Sequence, residues 1–245
     1  MSYAFKPSPN KSSRRGVAVN SIVLHFTASA ALAGTVQWFM NPEARVSAHY
    51  VIGRKGEIVQ MVHESEKAWH AGDATLEGDP RVNSMSIGIE IVNWGELQEH
   101  NGTYYCWPGN YTRKYDISKY GAPITAIKNI AGRPKVTYWA PYTPEQYDAV
   151  IKLCREIIQR YPAVTVDRLV GHEDVAPGRK TDPGPAFDFD RVRSEVFAVA
   201  DELYMDLDED DPVDESELAR RQSDRSEPMS WVERIYARWI NRHAD

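Results

Sequence analysis

Apolar residues along the chain fall into short runs and spaced stripes, and each spacing selects an element. Residues 17–27 (VAVNSIVLHFT) contain a β-branched apolar run that reads as a buried strand with His25 near its end. Residues 30–40 predict a helix, weakened at Gly34 and stopped before Asn41-Pro42. Residues 46–52 and 57–62 predict the two strands of a hairpin turning at Arg54-Lys55-Gly56. Residues 86–92 alternate, with Ile87, Ile89 and Ile91 on one face and Gly88, Glu90 and Val92 on the other. Thr143-Pro144-Glu145-Gln146 is a capping box with proline at the first helical position. Tyr147, Val150, Ile151, Cys154, Ile157, Ile158 and Tyr161 then recur at the helical period. A short strand at Leu169-Val170 leads into Gly171-His172, and residues 187–204 predict the last helix of the body.

The pattern fails in two places. Residues 93–142 are rich in Tyr, Gly, Asn and Pro and read as long loops with little regular structure, of the kind that is functional or flexible. Residues 1–16 read as a loose arm. Towards the other end, residues 201–217 carry ten acidic side chains and no Lys or Arg, the composition of a solvated linker. Ser230-Trp231-Val232-Glu233 is a second capping box, and Trp231, Ile235 and Trp239 form a helical stripe that cannot be buried alone. The organisation expected is an arm (1–16), a body (17–204), an acidic linker (205–228) and an amphipathic helix (229–245). That helix either folds back on the body or docks on a partner.

Composition narrows the class. About 42% of the 245 residues are apolar and 26% charged, as in soluble globular proteins, and no run of about 18 apolar residues suggests a membrane span. The basic residues before Gly16 have no apolar stretch behind them, so a secretory signal is not expected and synthesis in the cytoplasm is. The net charge of −6 comes from the tail: the ten acids of the linker and a net +2 after it leave residues 1–200 at +2. That is too weak a basic footprint for a nucleic-acid binder. Two cysteines cannot build a disulfide framework, and neither has a partner at zinc-finger spacing. Cys154 reads as a core residue on a helix face and Cys106 as a loop thiol.

Of seven histidines, two stand out by context. His25 sits where a strand end can project its side chain into a cleft. His172 precedes a Pro/Gly loop, and Asp182 follows ten residues later in Lys180-Thr181-Asp182-Pro183-Gly184. Two imidazoles and one carboxylate make a three-ligand catalytic zinc set with one position open for water. Strand-end histidines and loop aspartates are also common without a metal, and the spacing alone leaves that choice open. His49 and His63 read as structural.

Six segments in fixed order carry a resemblance. They are Ile22-Val23-Leu24-His25, Arg45-Val46-Ser47-Ala48-His49-Tyr50, Gly56-Glu57-Ile58-Val59-Gln60, Ala68-Trp69-His70-Ala71-Gly72, Ser86-Ile87-Gly88-Ile89-Glu90 and GHEDVAPGRKTDPGPA from Gly171 to Ala186. From about Ser21 to Arg193 the chain resembles the zinc-dependent N-acetylmuramoyl-L-alanine amidases, the family shared by phage T7 lysozyme, bacterial recycling amidases and peptidoglycan recognition proteins. It is most similar to the branch with Asp as third zinc ligand. The resemblance implies an α/β fold with a central mixed β-sheet flanked by helices and a groove at one sheet face. It implies His25, His172 and Asp182 as zinc ligands, and Glu90 and Lys180 as catalytic residues. Trp69 and His70 would stand on the substrate side or behind a ligand. The T7 branch has a catalytic tyrosine where this chain has Ala48, which leaves the proton work to Glu90.

The activity implied is hydrolysis of the amide between the lactyl group of N-acetylmuramic acid and L-alanine, on peptidoglycan or soluble muropeptides. Members of this fold that only bind peptidoglycan typically lack a ligand residue; here all three positions are filled, which favours the enzyme. Both a wall-recycling and an endolysin-like role fit, and residues 93–142 with the acidic and aromatic tail tilt the reading towards wall lysis. Residues from about 205 onward should be dispensable for zinc binding and for cleaving small muropeptides. Truncation after Leu203 tests this: loss of folding, or of activity on a soluble substrate, would place the tail in the catalytic core.

Overall fold

The computed structural model of the chain describes residues 3–205 except 108, 110 and 131. The chain divides into two compact units, Met1–Arg193 and Ser194–Asp245. In chain order the elements are β1 (Ala4–Phe5), β2 (Lys11–Ser13), β3 (Ser21–Phe26), α1 (Leu32–Met40), β4 (Tyr50–Ile52), β5 (Ile58–Gln60), β6 (Glu66–Ala68), α2 (Val82–Met85), β7 (Ser86–Ile91), β8 (Glu96–His100), β9 (Thr103–Cys106), α3 (Ile117–Tyr120), β10 (Ile124–Ile130), β11 (Arg133–Trp139), α4 (Pro144–Arg160), β12 (Leu169–Gly171), α5 (His172–Val175) and α6 (Phe189–Met205).

The central sheet has the strand order β1-β5-β4-β7-β3-β12. Its neighbours are parallel except the β4–β5 hairpin, so the sheet is mixed, as the sequence implied. Ile22 and Leu24 of β3 and Ile87, Ile89 and Ile91 of β7 are fully buried on one face. Each such aliphatic side chain contributes about 1.5–3 kcal/mol by leaving water. Helix α4, which packs at β4, adds buried Val150, Leu153, Cys154 and Ile157. Its start is fixed by the expected capping box, in which Thr143 and Gln146 each bond the other's backbone N–H. Gln146 also donates to the Val92 carbonyl at 2.8 Å, tying the helix to the end of β7. The opposite face of β3 and β7 carries Val23, His25, Gly88 and Glu90 in register, His25 beside Glu90.

Three expectations are corrected. Residues 93–142 are not mainly loops: β8 to β11 form a four-stranded antiparallel sheet, with α3 between β9 and β10. The period-2 signal was weak because Glu96–His100 is polar and β10 and β11 are half exposed. Pro134 interrupts β11, yet it pairs only with Asn129 of β10, and the pairing of β11 with β8 is confined to Tyr138 and Trp139. The missing N–H therefore faces an open edge, where proline is tolerated. Cys106 is not a loop thiol: it ends β9 and is buried with Trp94, Leu97 and Tyr115.

Nor is the N-terminal segment loose. Residues Ala4–Phe5 extend the central sheet beside β5, and β2 pairs with β6. Ser8, Asn10 and Arg14 are buried. What holds them is hydrogen bonding to backbone carbonyls, which leaves no trace in a hydrophobic pattern. Asn10 Nδ2 donates to the carbonyls of Asn41 and Val46, and Arg14 donates to those of Glu64, Ser84 and Ser86. The acidic linker from residue 206 and the Trp231/Ile235/Trp239 helix lie outside the described residues.

Arg14→Ala removes the donor for three carbonyls at once, that of Ser86 buried and those of Glu64 and Ser84 half-buried. Charged hydrogen bonds of this kind are worth about 1.5–3 kcal/mol each, partly recovered by water entering the space. The expected loss is about 3 kcal/mol, read as a lowered denaturation midpoint. An unchanged midpoint would mean that the segment adds nothing to the fold.

Candidate metal centre

Three elements deliver three side chains to one point. His25 is the penultimate residue of β3, with its imidazole on the non-isoleucine face. His172 opens α5 where β12 ends. Asp182 lies in the loop that follows, and that loop is fastened at both flanks. The Asp182 carbonyl accepts from Glu173 N–H at 2.9 Å, and the Pro183 carbonyl accepts from Tyr142 Oη–H at 2.9 Å. All three side chains are buried. His25 Nδ1, His172 Nδ1 and Asp182 Oδ2 stand 2.9 Å from one another.

The surrounding hydrogen bonds settle which nitrogens carry protons. Ser86 Oγ–H donates to the Val82 carbonyl, so its oxygen accepts from His70 Nε2–H at 3.0 Å. His70 Nδ1 is then a bare acceptor, and His25 Nε2–H donates to it at 3.0 Å. The imidazole of His25 is neutral, because burial holds its pKa below the usual histidine value. A neutral ring has one N–H, so His25 Nδ1 presents a lone pair. His172 Nε2–H donates to the Ala71 carbonyl at 3.0 Å, so the nitrogen that faces His25 and Asp182 is Nδ1. Two imidazole nitrogens and a carboxylate oxygen thus converge. Outer N–H groups bound to fixed acceptors are the usual support of metal-bound histidine. The donor set fits a metal ion, and it is the one such cluster found among the described residues.

Glu90 lies beside His25 in the β3–β7 register. Its Oε2 is sealed from solvent and has no hydrogen-bond partner. Burial, and next the charge of Asp182, push its carboxyl well above the usual range, while Lys180 opposes. Lys180, two residues before Asp182, acts electrostatically on both His25 and Glu90. Of the sequence-predicted residues, His25, His172 and Asp182 meet at this point, and Glu90 lies beside His25.

His70 is near but stands behind His25, in contact with Gly88, where an added Cβ would lie 2.4 Å from the ring. Trp69 does not join the cluster; its indole N–H donates to Ser12 Oγ at 3.0 Å. His49 is buried and accepts Gly88 N–H at Nδ1, and His63 stacks on Phe5. The sequence reading missed Ser86, Asn83 and the Ala71 carbonyl. Only Gly88, alternating among isoleucines, hinted that something lies close to the strand.

A sequence model of the family described as N-acetylmuramoyl-L-alanine amidase matches residues 15–185. The 1,6-anhydro-N-acetylmuramyl-L-alanine amidase AmpD of Salmonella typhimurium is 36% identical over 152 residues, 62% of this chain and 58% of that protein. The N-acetylmuramoyl-L-alanine amidase AmiD of Escherichia coli is 32% identical over 184 residues, 71% of this chain and 52% of that one. The chain therefore spans less than two thirds of the length of these relatives. Among solved structures, a selenomethionine derivative of AmpD aligns with a TM-score of 0.56 and 28% identity, over 79% of this chain and 93% of that one. AmiD from E. coli in complex with the substrate anhydro-N-acetylmuramic acid-L-Ala-D-gamma-Glu-L-Lys aligns at 0.52 and 27%, over 86% and 71%. The family match runs from before β3 to beyond Asp182 and takes in every residue of the cluster: the chain belongs to the N-acetylmuramoyl-L-alanine amidase family.

Proposed function

We propose that this protein is a zinc-dependent amidase that hydrolyses the bond between the lactyl group of N-acetylmuramic acid and L-alanine. One observation carries the reading: two imidazole nitrogens and a carboxylate oxygen converge at 2.9 Å beside a carboxyl whose Oε2 has no partner. His25, His172 and Asp182 would hold the ion. Zinc so bound supplies a water of near-neutral pKa and polarises a carbonyl. The AmiD complex with an anhydromuramyl peptide supports a muropeptide as substrate.

Glu90 takes a proton from the attacking water and returns it to the departing amine of L-alanine. The raised affinity of its carboxyl for a proton suits both halves of that transfer. Lys180 stabilises the negative charge that develops on the carbonyl oxygen. Trp69 and His70 do not touch substrate in this reading: one anchors the N-terminal segment and the other supports His25. No helix among the described residues is long and apolar enough to cross a membrane. Comparing peptide release from a soluble anhydro-muropeptide and from intact sacculi distinguishes the recycling from the wall-lytic role.

Glu90→Ala should keep the full zinc content and lose about 10²–10⁴-fold in turnover, the usual share of a general acid–base group. Metal analysis beside a muropeptide assay checks this; a variant at the parental rate makes Glu90 a structural carboxylate. His172→Ala should emerge from purification without zinc. Chelation of the parent protein should abolish cleavage, and added zinc should restore it. Full activity in the chelated protein would overturn the reading.

A further inference from the structure

Behind the two imidazoles lies a single short stretch of backbone. The side chain of His70 accepts the outer N–H of His25, and the carbonyl of the next residue, Ala71, accepts the outer N–H of His172. Both backbone N–H groups of this pair point to one atom: Asn83 Oδ1 accepts from His70 N at 3.1 Å and from Ala71 N at 2.8 Å. We propose that Asn83 is a positioning residue of the metal centre, clamping the His70-Ala71 segment so that both histidine ligands are aimed from one fixed point. The inference rests on the reading of the site as a metal centre.

Several features make the clamp stiff. Asn83 belongs to α2, whose Val82 and Met85 are buried in one cluster with Val23, Ala71, Val170 and Val175. Val23 and Val170 come from the strands that carry His25 and lead to His172, so the position of Asn83 is referred to the same core as the ligands. Ser86, directly after α2, holds the far nitrogen of His70. Gly88 leaves room for the His70 ring to lie on β7. On the other flank, Arg179 Nη2 donates to the Ala71 carbonyl at 2.8 Å, alongside His172. A carboxamide oxygen has two lone pairs and can serve two N–H donors at once. Without it, two adjacent buried donors are left unpaired and the segment must shift to find partners. A shift there moves both imidazoles together, because neither has another support on its outer nitrogen.

The test uses the full chain, stripped of metal and titrated with zinc against a chromophoric chelator. The visible absorption spectrum of the cobalt-substituted protein is recorded in parallel. Loss of such a support typically costs about 10–100-fold in metal affinity. Asn83→Ala should show a loss of that size and an altered cobalt spectrum. Asn83→Asp, which keeps an acceptor oxygen at the same place, should restore both towards the parent. Should Asn83→Ala fail to fold, Asn83→Ser serves instead, its hydroxyl being one bond shorter and unable to span both donors. A folded Asn83→Ala or Asn83→Ser with parental zinc affinity and cobalt spectrum overturns the clamp while leaving the metal centre intact. A parent protein that binds no zinc overturns the metal centre, and the clamp with it.

Discussion

Two buried imidazole nitrogens and a carboxylate oxygen are held 2.9 Å from one another, with the outer nitrogen of each ring bound to a fixed partner. Burial removes the water that would otherwise solvate Asp182, and the bonding of the outer nitrogens fixes the orientation of each ring. The fold must therefore hold three polar side chains at one dry point. That requirement accounts for the number of rigid attachments around so small a point. They include a parallel strand pair under His25, a strand-to-helix junction under His172, and a loop fastened at Glu173 and Tyr142 under Asp182.

The central sheet meets the requirement by dividing its two faces. The isoleucines of β7 and the apolar residues of β3 supply the burial that stabilises the sheet. The same alternation sends His25 and Glu90 to the other face, side by side. A one-residue slip in the β3–β7 register would exchange the faces of one strand and separate the two groups. The hydrophobic core thus sets the geometry of the chemistry, although no core residue takes part in it.

This division also explains which features could be read from the sequence. The β7 alternation, the capping box at Thr143 and the spacing of apolar residues in α4 are local, and each appeared where expected. The family resemblance named His25, His172 and Asp182, which the fold brings together, and Glu90, which it places beside His25. Residues 93–142 were misread because their strands are exposed on much of both faces, so alternation of polarity is weak there. The N-terminal segment was misread because polar side chains hold it against backbone carbonyls. Asn83 was missed for the same reason: its partners are two N–H groups 12 and 13 residues earlier, and nothing in Arg81-Val82-Asn83-Ser84 marks it as more than surface.

The polar scaffold behind the site extends further than His70. Trp69 N–H donates to Ser47 Oγ, and Ser47 Oγ–H in turn donates to the Asn10 carbonyl. Arg14 donates to the carbonyl of Ser86, the residue that holds His70, and Gly88 N–H donates to His49. The N-terminal segment is therefore continuous, through fixed hydrogen bonds, with the groups that set the histidine tautomers. A cation that binds the assembled site and not the unfolded chain stabilises all of these contacts by mass action. The segment whose sequence reads as a loose arm is thus part of the hydrogen-bonded scaffold behind the site.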